Sequence, residues 1–422
     1  MNNIVLVNEL AKIKAGSSGS SGSGSQFNRL TMKDQTWLRL STLSTSFNAI
    51  GAHYYTRILN HGGGQFSIAS ETYSNGGQNQ SQFYVIPFTV NQSTGAITVG
   101  SGASSYLNTS TGTHTTVTFA SSGSYGFAYG QMPSSNGTST QYGTCIAWNV
   151  SGNSISNITQ YQNASNDYVG DNVMSPTSRS GSTAYFPVCY SYTGGTANNL
   201  VFSYNGSSIS RQSYSNLSTN TSAAYTMPVA TQFGQTLGST SIGAVRFWNN
   251  SSGLAQIHTL DVSGGVTNTL NGASVFGPQS QGYFTGHGFE LSNGKQIYYL
   301  SNGRIGLRDG TSMTDITDIA DWAPLSQNYY NGVTPVATDK WIAVSDKNPF
   351  EMVKFSINPT TYRITNFGAF PLANLTLSSE DMSAYVGAHI TGSNNQFVVS
   401  GNMYSEGASM QLLVGQHGLT GA

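Results

Sequence analysis

Charge is scarce in this sequence. Asp, Glu, Lys and Arg make up only 8% of the 422 residues, against about 25% in ordinary soluble domains. The 16 cationic and 17 anionic side chains balance, with no basic stripe along any segment. The electrostatic footprint that a phosphate backbone demands is therefore missing, and nucleic acid is not an expected partner. Cysteine is rarer still: Cys145 and Cys189 stand outside any CxxC or Cys/His spacing. That excludes a thiolate metal cluster and leaves two readings, small buried apolar residues or one disulfide. Long apolar runs are absent too. The opening Met1-Asn-Asn-Ile-Val-Leu-Val-Asn has no basic start, and its apolar run is too short for a signal peptide or a span, so neither the usual secretory route nor membrane insertion is expected.

What the chain does have is Gly, Ser, Thr, Asn, Tyr and Phe, the vocabulary of short strands and tight turns. At 37% hydrophobic and 11% aromatic, spread in short runs, it carries enough apolar surface to offset the entropy of ordering. An ordered all-β chain is expected.

From about residue 50 onward one pattern recurs: strand, Gly/Asn turn, strand, polar loop, strand, tight turn, strand. The clearest copy reads as strands at 331–338, 340–345, 351–357 and 362–370, each bounded by turn formers. The third strands of successive copies end at Val90, Val150, Tyr204, Val262, Asp309, Ile357 and near Gln416. Fourth strands follow at 96–99, 154–160, 208–214, 265–270, 313–319 and 362–367. The last copy lacks one, and residues 36–47 precede the first copy as each fourth strand precedes the next. The two ends are thus expected to pair, closing a ring that leaves no inner edge exposed.

This periodicity resembles that of seven-bladed β-propellers, over about residues 28–422. It matches neither the WD-repeat nor the sialidase-like kind, since WD dipeptides at blade ends and the Ser-x-Asp-x-Gly-x-x-Trp box are both absent. The expected fold is an all-β, seven-bladed propeller of four-stranded blades, closed by an N-terminal strand that completes the C-terminal blade. A β-helical fibre is the rival, with shorter and more uniform coils.

Ahead of the repeats, residues 16–27 open with Gly-Ser-Ser-Gly-Ser-Ser-Gly-Ser-Gly-Ser, a flexible tether. Residues 1–15 place Leu6, Leu10 and Ile13 at i, i+4 and i+7, the spacing of a short amphipathic helix. A docking segment, a frayed terminus and an introduced linker are the three readings. The string Val5-Leu-Val-Asn-Glu-Leu-Ala-Lys-Ile-Lys-Ala-Gly16 resembles N-terminal leaders on tail and fibre proteins of tailed bacteriophages. That resemblance implies a virion component, held through its leader by other virion proteins, with copies arranged by the symmetry of the particle.

Catalytic constellations are not apparent. The carboxylates are scattered, and no Gly-x-Ser-x-Gly elbow, HExxH or P-loop occurs. The tightest acidic group, Asp315, Asp318 and Asp321, falls at an outer strand, where charges commonly block edge pairing. His53 and His389 open the first and last copies in matching Gly-Ala-His contexts, with Gly286-His287 shifted by one. They are candidates for an ion or water cluster around a channel, or for plain backbone bonding. No cofactor is implied. Binding is the better prospect: loops expected on one face carry Tyr168, Tyr192, Trp248, Trp322, Tyr329, Tyr330 and Tyr404. Such rings stack on sugars or protein partners, or else cap the blade cores. The leading expectation is a phage virion structural protein, not an enzyme, whose propeller contacts partners or a host surface glycan or receptor. A secreted or cell-surface carbohydrate-binding propeller is the alternative, and a propeller glycosidase or lyase ranks behind it.

Overall fold

The computed structural model describes residues 31–39, 53–73, 80–92, 94, 96–109, 117–133, 141–162, 173–174, 177–191, 197–212, 215–218, 224–227, 229–230, 241–248, 255–261, 266–271, 286–300, 304–320, 330–345, 351–371, 388–393, 396–402 and 409–416. Among these residues the strands hydrogen-bond into seven sheets, each built on an antiparallel meander of strands consecutive in the chain.

Four positions recur in every sheet, here called A to D. Sheet I holds His53–Gly62, Gln65–Tyr73, Gln80–Val90 and then Ile97–Val99 with Ala103–Thr109, which both pair with the same C strand. Sheet II is Val117–Ser122, Tyr125–Pro133, Gln141–Ser151 and Ser154–Gln162. In sheet III both edge positions, A and D, are split. Val173–Met174 and Ser178–Ser180 flank Thr183–Ser191, while Ile209–Arg211 and Ser215–Ser218 flank Ala197–Tyr204. Sheet IV is Ala224–Met227, Ser241–Trp248, Ala255–Asp261 and Val266–Asn271. Sheet V is Gly286–Glu290, Gln296–Leu300, Ile305–Asp309 and Ser312–Asp315, with Val229–Ala230 added in parallel on its inner edge. Sheet VI is Tyr330–Ala337, Lys340–Ser345, Glu351–Ile357 and Ile364–Pro371. Sheet VII is Ala388–Ser393, Gln396–Asn402 and Ser409–Gln416, completed by Thr31–Arg39. The extra strands of sheets I and III are thus halves of interrupted edge strands. The chain is an all-β propeller of four-stranded antiparallel blades.

The blades lie side by side through their inner strands. His53–Gly62 neighbours both Val117–Ser122 and Ala388–Ser393, and Tyr330–Ala337 also neighbours Ala388–Ser393. Both faces of a blade are covered, so apolar residues fill odd and even positions alike, as in strands buried on two sides. In sheet I, Ile58, Phe66, Ile68, Ile86 and Phe88 form one face. The other face, with Leu59, Ala69, Phe83 and Val85, packs on Phe119, Ala128, Ile146, Trp148 and Val150 of sheet II. Sheet II meets sheet III through Phe127 stacked on Phe186, ring centroids 4.5 Å apart. Sheets V and VI join through Phe289, Trp341 and Phe355. Each such fully buried ring contributes about 1.5–3 kcal/mol of hydrophobic stabilisation.

Several expectations need correction. The closing strand is Thr31–Arg39 rather than 36–47, because its ladder with the last strand begins at Thr31↔Gln416 and runs to Arg39↔Ser409. The strand expected at 313–319 stops at Asp315. There the carboxylate accepts hydrogen bonds from the backbone and hydroxyl of Thr317, and Thr317–Ala320 turns into a short helix. The fourth strand expected at 208–214 breaks into two. Cys145 is a free, buried thiol, so the disulfide reading fails. Leu6, Leu10 and Ile13 lie outside the described residues, as does the whole leader.

Candidate functional site

Each blade has two rims. One carries the A–B and C–D turns, hereafter the turn rim. The other, the connection rim, carries the ends joined by the B–C and D–A connections.

Local sequence makes the turn rim tight. Both hairpins of sheet II, the A–B hairpin of sheet III and the C–D hairpin of sheet V are two-residue loops led by a glycine at positive φ, such as Gly123 (54°) and Gly152 (57°). That geometry suits the strand twist and carries no Cβ penalty. Asp339 adopts the same region at 54° in sheet VI.

These turns are hydrogen-bonded to their neighbours. Between sheets I and II, Ser121 Oγ donates to the Asn60 carbonyl (2.9 Å), and Gly152 N donates to Gln65 Oε1 (2.8 Å). His61 lies buried at this joint. A carbonyl can only accept, so Nδ1–H donates to Gly123 O (2.8 Å) and Nε2 accepts from the Ser67 hydroxyl (2.8 Å). Burial lowers the imidazole to about 4, the Gly123 bond opposing it.

Between sheets II and III, Thr177 Oγ1 donates to Ser121 O, and Asn149 and Asn157 both donate to Gly206 O. Tyr204 Oη donates to Asn157 O, and Arg179 stands over the Tyr125 ring. Between sheets V and VI, Ser292 N and Oγ donate to the two oxygens of Asp339 at 2.8 and 2.6 Å. Lys295 Nζ bonds both Asp309 (2.8 Å) and Tyr362 Oη (2.8 Å), and these contacts raise its basicity.

Glu290 in sheet V is a half-buried acid near this rim. Burial raises its carboxyl, partly offset by Arg308. Arg308 Nη1 and Tyr298 Oη both donate to Gln296 Oε1, and burial pushes the Tyr298 phenol up to about 12. The group ties adjacent strands of one sheet. Among the described residues no three His, Cys, Asp or Glu side chains gather as metal ligands. Asp315 instead pairs with Arg304 (3.5 Å) and caps Thr317; Asp318 is exposed, and Asp321 lies outside the described residues.

The connection rim holds the expected binding positions that can be placed. Trp248 is the last residue of its B strand, opposite Ala224, and Tyr330 is the first of its A strand, opposite Ser345. Both thus belong to strand ends rather than loops. His53 (opposite Thr72), His287 (opposite Tyr299) and His389 (opposite Ser400) stand near the starts of inner strands on the same rim. The first and last of these strands are neighbours. Tyr168, Tyr192, Trp322, Tyr329 and Tyr404 lie outside the described residues. Sequence reading did not single out His61 or Glu290. The only local cue for His61 was its place before the Gly62-Gly63-Gly64 turn.

No protein-family model matches the chain, and no curated protein matches its sequence. Among solved structures it is similar to a periplasmic gluconolactonase of Pseudomonas aeruginosa, at 11% identity and a TM-score of 0.46, over 84% of this chain and 96% of that one. Saccharomyces cerevisiae Sqt1 aligns at 11% identity and a TM-score of 0.44, over 88% and 83%. A Trypanosoma rangeli sialidase mutant displaying trans-sialidase activity aligns at 8% and 0.44, over 92% and 60%. At such scores these likenesses carry no functional weight, and the propeller architecture rests on strand order and pairing.

Proposed function

We propose that this chain is a phage virion component, attached through residues 1–15, whose propeller has seven blades and binds a partner or host surface glycan with its connection rim. The observation that carries the reading is the asymmetry of the rims. The turn rim is committed to blade-to-blade hydrogen bonds, while the placed candidate aromatics Trp248 and Tyr330 fall on the opposite rim. With a net charge of −1, recognition by ring stacking and neutral hydrogen bonds suits an uncharged sugar surface. The seven-blade count is supported by the seven sheets and by the neighbouring inner strands of the first and last of them.

Mass spectrometry of purified particles, comparing the full chain with one lacking residues 1–25, tests attachment. The full chain should be incorporated stoichiometrically and the truncated one lost. Incorporation of both equally, or of neither, sinks the reading. Glycan binding by the isolated domain without incorporation favours a free carbohydrate-binding protein. Averaged end-on electron micrographs should show seven spokes.

A further inference from the structure

We infer that Asn205 is a self-modifying site: in the folded protein the Gly206 backbone nitrogen attacks its side-chain amide, giving a succinimide and then isoaspartate or aspartate. The inference is independent of the attachment reading. The C–D turn of sheet III joins Tyr204 to Ile209. There Asn205 Oδ1 accepts from Ser207 N (3.0 Å), Ser208 N (2.9 Å), Ser207 Oγ (3.0 Å) and Ser208 Oγ (3.2 Å). Backbone N–H groups only donate, which fixes this atom as the oxygen; the amide nitrogen has no partner among the described residues. Donors gathered on one carbonyl stabilise the oxyanion that forms when Cγ is attacked more than they stabilise the neutral amide. A glycine leaves the following nitrogen unhindered, and among the described residues nothing accepts from the Gly206 N–H. Asn205, Ser207 and Ser208 are exposed, so hydroxide and water reach the turn.

Two other turns each lack one of these conditions. Asn358 Oδ1 likewise accepts from Thr360 N (2.8 Å) and Thr361 N (2.9 Å), but Pro359 follows and has no N–H to lose. Asn293 is followed by Gly294, yet Gly294 N donates to Leu291 O (2.9 Å) and Asn293 Nδ2 donates to Pro359 O (2.6 Å). The nucleophile and the leaving nitrogen are both held there. At Asn205, solvent hydroxide takes the Gly206 amide proton, the nitrogen bonds to Cγ, the Cγ–Nδ2 bond breaks, and ammonia leaves with a proton returned by water. Water then opens the cyclic imide at either carbonyl. Isoaspartate routes the main chain through the side chain, adding a methylene just ahead of Gly206 O and Ser207 O. Those carbonyls accept from Asn149 (2.9 Å), Asn157 (3.1 Å) and Thr159 (3.1 Å) of sheet II, so the modification loosens the joint between sheets II and III.

The full chain, incubated folded at neutral pH and in parallel in urea, is digested, and mass spectrometry follows the exchange of amide for acid at Asn205 and Asn293. In the folded chain Asn205 should convert about fivefold or more faster than Asn293, and in urea the two rates should converge. Joint Ser207→Ala and Ser208→Ala changes should slow Asn205 about threefold or more without affecting Asn293, with circular dichroism verifying that the fold is kept. Equal rates in the folded chain, a faster Asn293, or a double variant that converts like the parent overturns the site. Incubated parent should melt below fresh protein, while Asn205→Gln, whose longer side chain closes the ring less readily, should melt as before. An unchanged melt of fully converted parent overturns the loosening of the joint.

Discussion

The indole of Trp148 lies directly over Gly126, its partner on the adjacent strand, with ring atoms 2.1–2.4 Å from where a Gly126 Cβ would stand. The ring is fully buried and touches Phe83 of sheet I, centroids 5.1 Å apart. A side chain at 126 and the indole therefore compete for one volume at the joint between two blades. Gly126→Ala should cost about 1–3 kcal/mol by overpacking. Adding Trp148→Leu should make the pair less costly than the sum of the two single changes, a coupling readable in urea unfolding. Strict additivity would contradict the contact.

Acid should loosen the joint between sheets I and II. His61 titrates near 4 when folded, against 6.5 in the unfolded chain, so the unfolded state binds more protons between those values. The contribution of neutral His61 is complete above pH 6.5, falls as pH drops toward 4, and levels off below. The total loss is about 3 kcal/mol. His61→Gln should flatten that part of the stability curve. An identical curve for both proteins would remove His61 as its source.

Deleting residues 31–39 should leave Ser409–Gln416 with an unpaired edge, since every described partner on that side is in the closing strand. Aggregation or a broadened, non-cooperative melt is expected. The milder Thr36→Pro, opposite Leu412 in mid-ladder, should lower the melting temperature without abolishing folding. A melt like that of the parent for both variants would refute the pairing of the ends.

Asp339 holds sheet V to sheet VI through Ser292 while occupying a left-handed conformation. Asp339→Ala loses both the bonds and the polar side chain that tolerates this region, and should cost about 1–2 kcal/mol. Asp339→Gly relieves the backbone but not the lost bonds, so it should fall between Ala and the parent. Thermal unfolding orders the three, and a Gly variant less stable than Ala would show that backbone conformation is not the deciding factor.

If the connection rim binds, single Ala substitutions at Tyr168, Trp322 and Tyr330 should each weaken attachment about tenfold, or ~1–2 kcal/mol, with little change in melting temperature. Rings that cap the blades would instead destabilise the fold by a few kcal/mol when removed. Melting and binding measured on the same variants separate the two roles.

Local rules made much of the architecture legible. Strands read from apolar runs between turn formers end where expected at Val90, Tyr204, Asp309 and Ile357. The pairing of the two chain ends followed from a missing strand at one end and a spare one at the other. These features were readable because turn residues and apolar runs act over a few neighbouring positions.

The sequence by itself determined strand content, turn positions and the closing partnership. Only the tertiary structure decided which side chains meet across blades. His61 and Gly123 are 62 residues apart, Ser292 and Asp339 47, and no local pattern marks such pairs. The same holds for Lys354, buried in mid-strand with its ammonium lowered to about 8 by desolvation. A charged residue at a strand position reads as solvent-facing from the sequence, and its burial is decided by packing. The strand expected at 313–319 ends early for a related reason: Thr317 donates to Asp315 and accepts from the Ile305 backbone twelve residues away, so a contact with the neighbouring strand holds the turn that ends it. Period and propensity are properties of a segment; the joints between blades exist only once the ring has brought distant segments face to face.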